Sequence, residues 1–174
     1  MIDKSRMRFV VLTALALMAA AAGTAFAAQS SPLPAFSVVA PDGREVSSSS
    51  LTTEAQWVLV YVKPDATATS RLLAALAEWR LAPEQARRIV LIVEGPVVEA
   101  SAFMAAKGAP EALALNWFAD PDGRAAKVLG LTGAPALKGV RAGGLEWSLE
   151  GVLNDPAAYE PVVRTWIGAP PVVR

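Results

Sequence analysis

The chain has 174 residues, 16 basic against 16 acidic side chains, and neither cysteine nor histidine. Without cysteine there is no disulfide, thiolate nucleophile or thiolate metal site, and without histidine there is no imidazole base or ligand. Ser-His-Asp, Cys-His and zinc-hydrolase chemistry are excluded in their usual forms, and the lack of a Lys/Arg-rich patch makes nucleic acid an unsuitable partner.

Lys4, Arg6 and Arg8 precede an apolar run from Phe9 to Ala22, and Ala25-Phe26-Ala27 follows with small residues at the two positions a signal peptidase inspects. This is the plan of a secretory signal over residues 1–27, with cleavage expected after Ala27. The run is shorter than the roughly 20 residues that span a bilayer. No later stretch is long and apolar enough to do so, and a lipid anchor at the cleavage site would need a cysteine. Cleavage removes three bases and the acid Asp3, leaving 13 bases against 15 acids. The expectation is a periplasmic or secreted protein with no membrane span once the signal is removed. Export permits disulfides without requiring them, so their absence does not argue against it.

Residues 28–34 are polar and proline-bearing, and are expected to form an extended, mobile lead to one domain over 35–169, with a tail at 170–174. Ala35–Ala40 and Glu45–Val46 flank Pro41-Asp42-Gly43 at hairpin spacing. Ser47–Ser50 reads as loop. Trp57–Val62 is a continuous β-branched and aromatic run suited to a strand covered on both faces, and Arg88–Val93 repeats the signature. Between them Leu72, Leu73, Leu76 and Trp79 recur at helical spacing, which predicts a helix over about residues 67–80. A second helix is expected over Val98–Lys107, a short strand over Leu115–Phe118, a turn at Asp120-Pro-Asp-Gly123 and a short helix over Arg124–Leu129. Leu137–Val140 and Leu145–Leu149 flank Arg141-Ala-Gly-Gly144 as a second hairpin, and Asn154-Asp155-Pro156 opens a last helix to about Ile167. Strands alternating with helices, closed by a hairpin, give an α/β fold: a mixed central sheet flanked by helices, with an N-terminal β-hairpin.

In order and spacing, five pieces resemble the exported thioredoxin-like proteins of the TlpA/ResA and peroxiredoxin-related group. They are Pro34-Ala-Phe36, Pro41-Asp-Gly43, Val58-Leu-Val-Tyr-Val-Lys-Pro-Asp65, Asp120-Pro-Asp-Gly123 and Gly133-Ala134-Pro135. The resemblance implies a thioredoxin-like fold and a cis bond before Pro135, facing the active site. It also implies a Cys-x-x-Cys pair at the start of the first helix, where the helix dipole lowers a thiol pKa. Here those two positions hold Ala66 and Thr69, so the chain is a degenerate member. The peroxiredoxin pattern fails as well, with Ala68 at its Thr position and Arg71 at its Cys position.

Asp65, Glu94 and Asp120 fall just beyond expected strand ends, where open α/β sheets bind ligands, and together would suit Mg²⁺ or Ca²⁺. Each also sits in a turn beside Pro or Gly, where an acid is favoured for solvation and capping. Lys63 and Ser70 lack Ser-x-x-Lys spacing, and Arg71, Arg80, Arg87 and Arg88 read as an ordinary charged face rather than a ring for an anion. Trp57, Trp79, Trp117 and Trp166 read as core or rim packing, and Trp147 as a partly exposed hairpin residue.

The resulting expectation is a domain without catalytic residues, cofactor or metal. It would bind a periplasmic protein or peptide through Pro64, Asp65, Thr67, Ser70, Ala134 and Pro135. In the resembled family the backbone before this proline pairs with an extended substrate, a surface that could survive loss of the thiols; the equal alternative is that Pro135 serves only as a turn the fold needs. The alternative is an accessory component of a thiol-disulfide redox or cytochrome or cofactor maturation pathway, an oxidoreductase by family alone. A third reading, engineered replacement of the cysteines, fits poorly with the signal segment.

Overall fold

The computed structural model describes residues 30–107, 116–150 and 155–168, so the signal segment and the 170–174 tail lie outside the described residues. The fold is organised around β4 (Gln56–Val62), whose last six side chains are all buried. Its antiparallel neighbour is β7 (Ala136–Arg141), and its parallel neighbour is β5 (Ile89–Glu94). Beyond β7 come β8 (Gly144–Glu150) and the edge strand β1 (Ser31–Pro32). Beyond β5 come β6 (Trp117–Asp120), β2 (Ser37–Val39) and β3 (Glu45–Ser47), giving one mixed eight-stranded sheet.

The continuous apolar strands follow from two covered faces, because alternate side chains of one strand enter different cores. Val58, Val60 and Val62 of β4 pack with Ile89, Leu91 and Val93 of β5 beneath three helices. These are α1 (Thr67–Glu78), α3 (Val97–Ala106) and α5 (Pro156–Ile167). Leu59 and Tyr61, with Val90 and Ile92, face the other way, against Phe36, Val38 and Val46 of the hairpin and against α4 (Arg124–Val128). In α1, Thr69, Leu72, Leu73 and Leu76 form one buried stripe. After it the chain reverses through Arg80 in the left-handed region at φ 47°. The α1 end is tied to α5 by Arg164, which donates to the Trp79 carbonyl at 2.7 Å and to Glu160 Oε1 at 2.9 Å.

Four local readings change. Ser31 and Pro32, expected in a mobile lead, pair with Leu145 and Gly144, and the Leu33 N–H donates to the Gly143 carbonyl at 2.8 Å. The open edge of β8 supplies the backbone partners that the lead could not be seen to have from sequence. The serine run is not plain loop: Ser47 ends β3 and Ser48–Ser50 form one 3-10 turn. Buried Ser48 there donates to the Pro34 carbonyl and accepts the Phe36 N–H. A short helix, α2 (Pro83–Ala86), was not expected; Pro83 suits a first helical turn, and Gln85 Oε1 accepts the Ala82 N–H at 3.0 Å. The strand expected over Leu115–Phe118 instead covers Trp117–Asp120, and Leu115 lies outside the described residues.

The closing hairpin has a specific packing constraint. The Trp147 indole lies against Gly139, and its ring meets Trp166 in a T-shaped contact with centroids 5.6 Å apart. A Cβ at Gly139 would collide with the Trp147 indole. Gly139→Ala is therefore expected to cost about 1–3 kcal/mol, read as a lowered midpoint in urea unfolding. An unchanged midpoint would mean that the ring is not seated on this glycine.

Candidate functional site at the carboxyl ends of the central strands

β4 ends at Val62, the chain turns through Lys63–Ala66, and α1 begins at Thr67. The turn is closed by the Ala66 N–H on the Lys63 carbonyl at 3.2 Å and by the Thr69 N–H on the Ala66 carbonyl at 2.9 Å. Thr69 is fully buried, and its hydroxyl donates to the Lys63 carbonyl at 2.8 Å. Pro64, Asp65 and Thr67 are exposed, while Ala66 and Ser70 are half-buried. Ala66 thus offers only a methyl, and the Thr69 hydroxyl is already committed to the backbone.

The second part of the site arrives from β7. Ala136 pairs with Tyr61, so Ala134 and Pro135 lie alongside the end of β4, at the same sheet end as the Lys63–Ala66 turn. The Ala134–Pro135 bond is cis, Pro135 is buried and Ala134 is half-buried. The residues expected to form the binding surface therefore gather at one sheet end.

At the same sheet end a polar cluster joins Tyr61 and Lys63 to Glu94 and Asp120, two of the three acids grouped from the sequence. The Tyr61 hydroxyl sits 3.1 Å from Glu94 Oε2 and 3.0 Å from Asp120 Oδ2, with one proton to share between them. Lys63 Nζ is 3.0 Å from the same Glu94 oxygen. Buried Asp120 also accepts the Ala125 and Ala126 N–H groups, each at 3.2 Å, and so caps α4. Burial, reinforced by the negative charges of Asp120 and Glu94, pushes the Tyr61 phenol well above its ordinary pKa. Glu94 and Asp120 are thus committed to internal partners, whereas Asp65 is exposed in its turn. Among the described residues no group of three or more acidic, Cys or His side chains is placed to hold a metal ion.

The other groupings separate. Lys63 pairs with Glu94 rather than with Ser70. Arg71 is at the start of α1 while Arg80, Arg87 and Arg88 follow its far end, and Arg88 pairs with Glu54 at 3.4 Å and the Ile167 carbonyl at 3.1 Å. Trp57, Trp79 and Trp117 are buried, and Trp147 and Trp166 are half-buried.

One further residue borders the site. Glu150, the last residue of β8, pairs with Ala136 across the sheet. Its Oε2 accepts both the N–H and the hydroxyl of Thr132, each at 3.1 Å. Its Oε1 accepts from Lys138 Nζ at 3.1 Å and Ser148 Oγ at 3.2 Å. Desolvation works against the charged form, but the Thr132 and Lys138 hydrogen bonds and the Lys138 charge outweigh it and hold the carboxyl below its usual range. Glu150 lies one residue past the expected strand Leu145–Leu149, and no local pattern links it to Thr132.

No protein-family model and no curated protein matches the sequence. Solved structures do match. A protein from Chlorobium tepidum described as a candidate thiol:disulfide interchange protein DsbE aligns with a TM-score of 0.62 at 18% identity, covering 80% of this chain and 97% of that one. A secreted Mycobacterium tuberculosis disulfide oxidoreductase, described as homologous to E. coli DsbE, aligns with a TM-score of 0.57 at 15% identity, covering 75% and 95%. A peroxiredoxin-like protein from Aquifex aeolicus aligns with a TM-score of 0.59 at 15% identity, covering 78% and 84%. The fold is thioredoxin-like, its neighbours include disulfide oxidoreductases, and this chain is cysteine-free.

The chain has two tyrosines, and both resist ionisation. Burial first, then the charges of Asp155 and Glu160, push Tyr159 up to about 12. Because both folded values are raised, the stabilisation is complete below the unfolded tyrosine pKa of about 10 and is lost as pH rises through the folded values. Phenolate absorbance is expected to stay flat past that pH and then rise together with loss of circular dichroism. A tyrosine that ionises at its ordinary pH in the folded protein would contradict its burial.

Proposed function

We propose that this chain is an exported thioredoxin-like domain that binds an extended segment of a protein or peptide partner, without thiol chemistry, at Pro64–Ser70 and Ala134–Pro135. The observation that carries this reading is the pairing of an intact site framework with inert residues. The turn into α1 and the Ala134–Pro135 segment meet at one sheet end, yet Ala66 has no nucleophile and the Thr69 hydroxyl is bonded to the Lys63 carbonyl. Pro64, Asp65 and Thr67 are exposed for contact. Export is supported by the signal-like segment over residues 1–27, and no described helix is long and apolar enough to cross a membrane.

A second reading has its own support. The disulfide oxidoreductases among the solved neighbours favour a place in a thiol-disulfide or cytochrome or cofactor maturation pathway, in which a partner supplies the cysteines.

The pure chain is expected to show no turnover in insulin reduction, and Ala66→Cys combined with Thr69→Cys is expected to form a reducible disulfide. Turnover by the unmodified chain would end the non-catalytic reading. A folded double variant whose thiols stay free would show that these are not the former thiol positions.

Bulk placed on the exposed site residues tests the surface itself. Asp65→Trp and Thr67→Trp should each remove partners that the wild type captures from periplasmic extract, while Thr53→Trp, before β4 at its opposite end, should leave them in place. Identical partner sets from all four proteins would move the interaction elsewhere.

A further inference from the structure

Ala134, half-buried before the buried Pro135, meets a partner in one way only if the loop that carries it keeps one conformation. From the end of α4 the chain passes through Gly130, whose φ is 65°, to Leu131, whose N–H donates to the Ala126 carbonyl at 3.0 Å. The next fixed backbone point is Ala136, paired with Tyr61 and with Glu150. Between these anchors lie Thr132, Gly133, Ala134 and Pro135, a stretch with small side chains that bury little apolar area of their own.

Glu150 spans that gap. One carboxylate oxygen takes both donors of Thr132, and the other takes Lys138 of β7 and Ser148 of β8. Lys138 is itself bonded to Ser148 at 3.0 Å, and its side chain is 8% exposed, so its ammonium is a fixed point rather than a mobile surface charge. Four donors on two oxygens use the acceptor capacity of an ionised carboxylate and leave no room for a proton. A carboxamide of the same shape would aim N–H donors at one of the two groups of donors and break that side.

We propose that Glu150 is the positioning residue of the binding surface: its charged carboxylate clamps the Thr132–Pro135 loop to β7 and β8 and so sets how Ala134 and Pro135 meet an extended peptide. This rests on the partner-binding reading above for the peptide, but not for the clamp. The groups facing the carboxylate are Thr132 from the loop, Lys138 from β7 and Ser148 from β8, so acidification that protonates it should release the loop as Glu150→Gln does. Its lowered pKa agrees in sign: the clamp is complete above the ordinary glutamate range and is lost as pH falls through the folded value.

The test measures amide hydrogen exchange residue by residue in the full chain, together with binding of carboxymethylated insulin B chain, an extended peptide with no free thiol. Glu150→Gln should speed exchange at Thr132 by about tenfold or more, leave the β4 amides unchanged and weaken B-chain binding several-fold. Thr132→Val keeps the charge and the loop N–H bond, removes only the hydroxyl contact, and should give a smaller effect on both readouts; it serves if Glu150→Gln folds poorly. Unchanged exchange at Thr132 in both variants would overturn the clamp. Faster exchange with unchanged B-chain binding would overturn its role in positioning the surface. If the wild type does not bind the B chain, the peptide-binding reading fails, and the exchange data still decide whether Glu150 holds the loop.

Discussion

Burial of β4 on both faces is the constraint on which the rest of the molecule depends. A strand with six consecutive buried side chains has to be covered above and below. The helices α1, α3 and α5 cover one side, and the N-terminal hairpin with α4 covers the other. Tyr61 is the residue at which this constraint becomes chemical. Its ring fills the second core, and its hydroxyl must find partners once water is excluded. Those partners are the carboxylates at the ends of β5 and β6, so a core packing requirement draws charge to the sheet end that holds the site.

The charges gathered there are also internally matched. Lys63 answers Glu94, and the α4 N–H groups answer Asp120. Glu94 and Asp120 therefore have structural partners, and among the described residues no group of three or more acidic, Cys or His side chains is placed to hold a metal ion. The same economy governs Thr69, whose hydroxyl closes the turn on the Lys63 carbonyl. The turn geometry remains and can still present Pro64, Asp65 and Thr67 outward.

Across the site, the Ala134–Pro135 segment depends on a different kind of support. The Lys63–Ala66 turn is closed by local bonds, two from the backbone and one from the nearby Thr69 hydroxyl, whereas the loop before Pro135 leans on the side chain of a residue from the next hairpin strand. A partner meeting both segments would meet one wall set by local neutral hydrogen bonds and another set by a carboxylate. That difference makes the second wall sensitive to charge.

The elements and the excluded chemistries were legible in the residues alone. Continuous Val, Leu and Ile runs marked β4 and β5, the leucine spacing marked α1, and Asp-Gly and Gly-Gly steps marked the turns, because each is a local signal of periodicity or backbone freedom. The absence of cysteine and histidine settled which reactions this chain cannot perform, since composition needs no coordinates. Tertiary structure alone decided which side chains meet. Tyr61 reaches Asp120 across 59 positions and Glu150 reaches Thr132 across 18, through strand register and loop path that no local pattern encodes. The edge pairing of Ser31 and Pro32 is of the same kind, because an extended polar lead becomes a strand only when another strand offers it an open edge.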